Sequence, residues 1–136
     1  MTDGVQTKVF GVTVDDVAAM DTWVEQVASR WDVSEKTVFG VRLCIAELAA
    51  NVLEHGIARG DDDQIVITID RRLDGIEVEF LDSRQAFDPT AAMSSKNMVA
   101  ANGGGKGLVL LKAYACDLSY VTDGNGNRTK FRVTSS

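Results

Sequence analysis

One amphipathic segment constrains the fold of this 136-residue chain more than any other. From Ser34 to His55 the apolar residues recur at three- and four-residue spacing, which predicts a helix with one apolar face. That face consists of Val38, Val41, Ile45, Leu48, Ala49, Val52 and Leu53. Asp32 or Ser34 is the predicted N-cap, and the helix is expected to end near Gly56 and Gly60.

Two polar residues, Glu47 and Asn51, lie one turn apart on the same helix and point away from its apolar face. Asparagine is a mediocre residue inside a helix, because its amide competes with the backbone for hydrogen bonds. A carboxylate and an amide oxygen held together could ligate a hard cation and accept a proton. Taken alone, the pair is better explained as a solvated polar stripe.

The order of the remaining elements predicts an α+β two-layer sandwich, with helices packed on one face of a mixed, largely antiparallel sheet. The Asp74-Gly75 pair is typical of the turn of a hairpin. The predicted elements besides the central helix are a strand at Lys8–Val14, a helix from an Asp15 or Asp16 cap to about Arg30, strands at Gln64–Arg71 and Ile76–Leu81, a helix at Leu108–Cys116, and strands at Leu118–Val121 and Thr129–Val133.

Composition indicates a soluble globular domain, with 45% hydrophobic and 25% charged residues. No apolar run is long enough to span a bilayer and no signal pattern opens the sequence, so we expect a cytoplasmic protein without membrane association. The net charge of −6 disfavours nucleic acid as a direct partner. Cys44 and Cys116 are expected to be buried helical thiols, and Asp61-Asp62-Asp63 a solvated loop.

Two further segments carry candidate chemistry. Asp82 ends a predicted strand, where its carboxylate can accept a hydrogen bond from an exocyclic amine or cap the following turn, and the cap is favoured for this residue alone. Gly103-Gly104-Gly105-Lys106-Gly107-Leu108 opens a predicted helix, so it is either a phosphate cradle or a flexible hinge. The segment from Ser83 to Gly105 has weak periodicity, with a short helix at about Thr90–Ala101, and is expected to be a functional or disordered loop.

In this order, the motifs resemble those of the histidine-kinase-like ATPases of the GHKL superfamily. More narrowly, they resemble the stand-alone serine/threonine kinases that act as anti-sigma factors in bacterial partner-switching systems. The resemblance covers about Phe10 to Val133 and implies one domain over residues 1–136 with a Bergerat-type ATP-binding fold. The motifs are Glu47/Asn51/His55, Asp82 with Phe87-Asp88-Pro89, Gly105-Lys106-Gly107-Leu108, and Asp117 with Tyr120.

The resemblance implies a role for each site residue, with ATP and Mg²⁺ as cofactors. Glu47 would be the general base, Asn51 the Mg²⁺ ligand, and Asp82 the acceptor for the adenine amine. Thr129 would support the adenine side, and residues 83–104 would form the ATP lid. The phosphates would be held by Gly105, Lys106, Gly107 and Leu108. Either Lys106 or Lys96 would bring a cation to the γ-phosphate.

The implied function is regulation of transcription by an ATP-dependent kinase. It would phosphorylate an anti-anti-sigma antagonist and sequester a sigma factor, and a homodimer is compatible with it. The alternative is a non-catalytic or weakly nucleotide-binding switch module with the same fold. That alternative rests on Arg84 and Ala86, which stand where the family usually has glycine. A β-carbon there can obstruct the nucleotide, and the Arg84 side chain would either swing out or contact a phosphate or a partner through its planar fork.

Overall fold

Five strands and two helices are present in the computed structural model, which describes residues 4–56, 58, 60–84, 111–122 and 126–134. Residues 111–114 are also helical and precede the fourth strand. The elements are β1 (Val5–Phe10), α1 (Val14–Ala28), α2 (Glu35–His55), β2 (Ile65–Arg72), β3 (Gly75–Asp82), β4 (Cys116–Thr122) and β5 (Asn127–Thr134).

The strands form one sheet in the order β1-β2-β3-β5-β4, and each neighbouring pair is antiparallel. Strand β3 lies at the centre, between its hairpin partner β2 and β5. In the hairpin, Ile65 pairs with Asp82 and Arg72 pairs with Gly75. On the other side of β3, Asp82 pairs with Asn127. The end of β3 therefore lies beside the start of β5, although 45 residues separate the two in sequence.

Both helices lie on one side of the sheet, which confirms the predicted two-layer α+β fold. Helix α2 packs on β3 and β5, and α1 packs on α2. Alternate residues of the central strands face the helices and are buried, as expected for a sheet with one covered face. They are Ile65, Ile67, Ile69, Ile76, Val78, Phe80, Phe131 and Val133. Within the described residues, no helix is long and apolar enough to cross a bilayer.

The beginnings of the two helices are fixed by side-chain caps. Ser34 caps α2 as one of the two predicted residues, by accepting a hydrogen bond from the Thr37 backbone N–H at 3.1 Å. For α1 the prediction was wrong, because Thr13 is the cap and Asp16 completes a reciprocal capping box. The first strand stops at Phe10, which pairs with the first residue of β2, and Val14, the predicted end of this strand, is instead the first residue of α1.

The two cysteines differ in environment. Cys44 is buried in α2 as predicted, and burial raises the pKa of its thiol to about 12, which keeps it protonated at neutral pH. Cys116 is partly exposed and is the first residue of β4, so its predicted helical and buried position is wrong. The chain turns into the strand through Asp117, whose φ is 53°, and a register shift follows before Ser119.

An ion pair joins the two helices on their outer side. Arg42 of α2 donates two hydrogen bonds to the carboxylate of Asp21 in α1, from Nε and Nη2, each 2.8 Å long. These bonds lower the pKa of the Asp21 carboxyl, because they favour its ionised form. The side chains are 32% and 41% exposed, so the pair is a partly solvated link between the helices.

The turn between β2 and β3 should tolerate no side chain at Gly75. A β-carbon there would lie 2.0 Å from the carbonyl oxygen of Val133 in β5, and φ is +157°. We expect Gly75→Ala to lower the free energy of unfolding by about 2 kcal/mol or more, because backbone atoms must separate. The matched control is Gly60→Ala, whose β-carbon meets nothing within 4 Å. Urea unfolding of both variants measures this, and equal losses would contradict the expectation.

Candidate functional site

A narrow recess of about 10 Å³ lies between α2 and the ends of the central strands. Its walls come from four elements that are distant in sequence. Its apolar part is formed by two α2 side chains and one β3 ring, and its polar part by residues from α2, β3, β4 and β5. The lining residues are Leu48, Asn51, Val52, Phe80, Asp82, Tyr120 and Thr129. The recess therefore unites three residues that the sequence had proposed separately: Asn51, Asp82 and Thr129.

Asn51 is buried against the sheet, with 6% of its surface exposed. The expectation that it points away from the apolar face is wrong, because it lies between Leu48 and Val52 on the recess side of α2. Its amide nitrogen has no hydrogen-bond partner in the described part of the chain. An unsatisfied buried donor costs about 1–3 kcal/mol, so this amide is poised to meet an acceptor brought by a ligand.

Glu47 lies one turn before Asn51 on the same helix and is partly exposed. No residue in the described ranges donates a hydrogen bond to its carboxylate. A carboxylate without donors can accept a proton from an incoming hydroxyl group. The structure therefore places a candidate proton acceptor beside a candidate ligand-binding amide, on one rigid element.

Asp82 lines the recess, and one of its two carboxylate oxygens is hydrogen-bonded to the protein. Its Oδ1 accepts hydrogen bonds from the Arg84 backbone N–H at 3.1 Å and from Asn127 Nδ2 at 3.0 Å. Among the described residues, none donates to Oδ2. Burial raises the pKa of the Asp82 carboxyl above its ordinary value and outweighs these hydrogen bonds, which lower it. Oδ2 is thus an acceptor that remains available to an N–H donor.

Asn127 and Tyr120 hold Asp82 in place, and the sequence analysis gave neither of them this role. The Tyr120 hydroxyl donates to Asn127 Oδ1 at 2.7 Å, which fixes the orientation of the amide. Asn127 Nδ2 then donates to Asp82 Oδ1 and to the Arg84 carbonyl at 2.7 Å. Thr129, two residues further along β5, is 3% exposed and pairs with Phe80. The motif residue Asp117, in contrast, binds Arg132 at the surface.

Arg84 does not line the recess. Its guanidinium turns outward, with Nε 3.3 Å from Asp63 Oδ2 and Nη1 3.3 Å from the carbonyl oxygen of Val52. Of the two alternatives left open by the sequence, the structure therefore has the side chain swung out. Asp63 was expected in a solvated loop, and this is wrong, since its side chain is 7% exposed. Asp61 and Asp62 are exposed as expected.

Several predicted positions lie outside the described residues. They include Ala86, the Phe87-Asp88-Pro89 motif, Lys96, the helix at about Thr90–Ala101, and the proposed phosphate-binding residues Gly105, Lys106, Gly107 and Leu108. Of the predicted ATP lid at 83–104, only Ser83 and Arg84 are described. His55 ends α2, with Nε2 3.9 Å from Glu54 Oε1, and does not line the recess.

The chemistry of the recess fits a magnesium-bound nucleotide. Leu48, Val52 and Phe80 offer apolar walls for a flat ring, while Asp82 offers an acceptor for an exocyclic amine. The orphaned Asn51 amide can satisfy an anionic oxygen or a metal-bound water, and the amide oxygen is a hard ligand of the kind that Mg²⁺ prefers. The apolar side chains and Asp82 therefore suit the base of such a ligand, and Asn51 suits its phosphates and metal ion.

Ionised Asp82 should destabilise the folded protein. Its raised pKa means that the folded state holds this proton more tightly than the unfolded chain does, so stability falls as pH rises from the ordinary aspartate value through the raised one. We expect Asp82→Asn to have a melting temperature close to wild type at about pH 4 and higher than wild type at about pH 8. Thermal melts across this range measure the difference. An equal gain for the exposed control Asp61→Asn would contradict it.

Comparisons with known proteins found relatives in sequence and in fold. The chain is 29% identical over 122 residues to a protein named serine/threonine-protein kinase BtrW, from Bordetella bronchiseptica, and the match covers 88% of this chain and 84% of the relative. A solved structure of the RsbU and RsbW domains of Rv1364c from Mycobacterium tuberculosis superposes with a TM-score of 0.70 at 14% identity. That match covers 96% of this chain but only 32% of the solved one.

The histidine kinase domain of the blue-light-activated kinase EL346 from Erythrobacter litoralis also superposes, with a TM-score of 0.56 at 12% identity. It covers 89% of this chain and 60% of the solved one. At these identities, the two solved structures support the fold. Residues 10–133 match the family described as histidine kinase-like ATPase domain. The chain therefore belongs to the histidine kinase-like ATPase domain family, as the order of its motifs predicted.

Proposed function

We propose that this protein is an ATP-dependent serine/threonine kinase that acts as an anti-sigma factor in a partner-switching system. The observation that carries the proposal is the recess that unites Asn51, Asp82 and Thr129, with Glu47 one turn away on the same helix. Membership of the ATPase family and the likeness to the kinase BtrW support the same activity. The anti-sigma role rests on the motif resemblance and on the RsbW-containing solved structure.

The adenine ring would pack against the apolar wall of the recess, which must widen from about 10 Å³ to admit a base. Its exocyclic amine would donate to Asp82 Oδ2, while Oδ1 stays bound to Asn127 and the Arg84 backbone. Thr129 would add a hydroxyl contact on the same side. Guanine carries a carbonyl where adenine carries this amine, so it would place an acceptor against the Asp82 carboxylate and be rejected.

The phosphates would extend past Asn51 toward the segment of residues 105–108. Asn51 would hold Mg²⁺ through its side-chain oxygen, with phosphate oxygens supplying other ligands. Bound Mg²⁺ would neutralise the charge that develops on the transferred phosphoryl group. Gly105, Lys106, Gly107 and Leu108 are the proposed phosphate contacts, within a lid at residues 83–104 and the glycine segment after it.

Glu47 would act as the general base. Its carboxylate would take the proton of a substrate serine or threonine hydroxyl as the hydroxyl oxygen bonds to the γ-phosphorus. The bond from the γ-phosphorus to the bridging oxygen would break at the same time, and ADP would leave with that electron pair. The position of Glu47 on a long, packed helix keeps its carboxylate fixed relative to Asn51.

Phosphorylation would control which partner is bound. The antagonist gains negative charge when it is phosphorylated, and this protein carries a net charge of −6, so the phosphorylated antagonist would dissociate more readily. The released protein would then sequester a sigma factor. We place this cycle in the cytoplasm, within one domain over residues 1–136 that is compatible with a homodimer.

The second candidate is a switch module that has lost nucleotide binding. Its support was the pair Arg84 and Ala86, and that support is weaker at Arg84, whose side chain lies outside the recess. Millimolar Mg²⁺-ATP separates the candidates, because a ligand of the folded state raises the melting temperature by mass action. An unchanged melting temperature would favour the non-catalytic module.

Removing the proposed base should stop transfer but leave nucleotide binding intact. We expect Glu47→Gln to reduce phosphate transfer to the antagonist by about a hundredfold to ten-thousandfold, the usual contribution of a general base. The affinity for ATP should stay within about threefold of wild type, because the side chain keeps its size. Intact-mass measurement of the antagonist after incubation with Mg²⁺-ATP follows the transfer.

The matched control for this variant is Glu54→Gln, on an exposed side of the same helix. It removes one negative charge two turns after Glu47 and should leave the transfer rate unchanged. Equal transfer by wild type and Glu47→Gln would eliminate Glu47 as the base. No transfer by wild type, in the presence of bound ATP, would eliminate the kinase activity itself.

A further inference from the structure

Arg84 belongs to the Asp82 network through its main chain. Its backbone N–H donates to Asp82 Oδ1 at 3.1 Å, and its carbonyl oxygen accepts from Asn127 Nδ2 at 2.7 Å. The same Asn127 nitrogen also donates to Asp82 Oδ1. The backbone of Arg84 therefore closes a ring of hydrogen bonds with the two side chains, and a shift of this backbone must move both of them.

The side chain of Arg84 holds that backbone to two other parts of the fold. Nε donates to Asp63 Oδ2, in the chain that enters β2, and Nη1 donates to the carbonyl oxygen of Val52. Val52 lies in the last turn of α2, and its carbonyl also accepts from the Gly56 N–H at 3.0 Å. A cation at a helix C-terminus is favoured by the aligned peptide dipoles.

The arginine side chain is held firmly in this position. It is 18% exposed and its partner Asp63 is 7% exposed, so the ion pair is screened little by solvent. Ser83 Oγ donates to Asp63 Oδ1 at 3.3 Å and itself accepts from the Gln64 N–H at 2.8 Å. The planar fork of arginine makes both contacts at once, which an ammonium group on a flexible stem does not reproduce.

We propose that Arg84 is a positioning residue of the nucleotide site. It fixes Asp82 and Asn127, on the adenine side, relative to α2, which carries Glu47 and Asn51 on the phosphate side. The inference rests on the proposed function, and it reverses the expectation that an arginine at this position obstructs ATP. One nucleotide would contact Asp82 with its adenine and Asn51 with its phosphates. Its affinity therefore depends on the distance between these two side chains, because a small displacement of a binding group weakens binding strongly.

The experiment compares variants of the full chain that sever this clamp with one that severs an unrelated ion pair. Arg84→Ala removes both side-chain contacts, and Arg84→Lys retains the charge without the fork. The control Arg42→Ala breaks the Asp21 pair, which also involves α2 but lies away from the recess. The dissociation constant for Mg²⁺-ATP is measured by titration calorimetry below the melting temperature of every variant.

Arg84→Ala is expected to raise the dissociation constant for ATP roughly tenfold, and Arg84→Lys less. Arg42→Ala should lower the melting temperature without changing the dissociation constant. A second readout needs no nucleotide: the Asn127 side-chain amide resonances, assigned with Asn127→Asp, should shift in Arg84→Ala and stay in place in Arg42→Ala. Asn127 hydrogen-bonds to the backbone carbonyl of Arg84, so truncating the side chain is expected to move these signals through a shift of that backbone.

Each outcome decides the matter. Unchanged or tighter ATP binding by Arg84→Ala overturns the proposal, as does equal weakening by Arg42→Ala. Unmoved Asn127 resonances in Arg84→Ala overturn it as well. If wild type binds no ATP, the proposed function fails, and the Asn127 resonances alone decide whether Arg84 positions the pair. If Arg84→Ala does not fold, the dissociation constant for ATP and the Asn127 resonances are measured in Arg84→Lys and Asp63→Asn instead. Both should change in the same direction as in Arg84→Ala, by a smaller amount.

Discussion

The packing of α2 on β3 and β5 is the contact on which the rest of the molecule depends. Val41, Cys44, Ile45, Leu48, Ala49 and Val52 are all buried, so the helix cannot rotate about its axis without exposing part of the core. Asn51 lies between Leu48 and Val52 in this surface. The free energy that seats the apolar residues therefore also holds a polar amide in a place where it has no partner among the described residues.

The segments with strong periodicity were predicted well, because their pattern follows directly from burial on one face. The helix ending at His55 and the hairpin around Asp74-Gly75 have nearly their predicted bounds. The prediction of element ends was less accurate where several neighbouring residues could play the same role. Thr13, Asp15 and Asp16 can each cap a helix, and only the reciprocal contact between Thr13 and Asp16 decides. Cys116 comes two residues after the helical segment that ends at Tyr114, and neither that end nor the positive φ of Asp117 can be read from the apolar pattern.

The site was partly accessible from sequence. Asn51, Asp82 and Thr129 were singled out by motif order, and they line one recess. Asn127 was missed, because its pairing with Asp82 joins strands across the long segment after β3, which no local pattern reveals. The Arg84–Asp63 pair was different. Once the hairpin aligns Ile65 with Asp82, Gln64 lies opposite Ser83 and Asp63 opposite Arg84, so their opposite charges are a signal that the register itself provides.

The contact between Gly56 and Arg84 also bears on how this sequence can change over evolution. A β-carbon at residue 56 would lie 2.6 Å from the Val52 carbonyl oxygen and 3.1 Å from Arg84 Cδ. The arginine stem thus occupies part of the space that the glycine leaves open. A lineage that replaces Arg84 with a small residue relieves only the contact with Cδ, whereas the backbone contact remains. A side chain at position 56 therefore forces the backbone to shift whichever residue stands at 84.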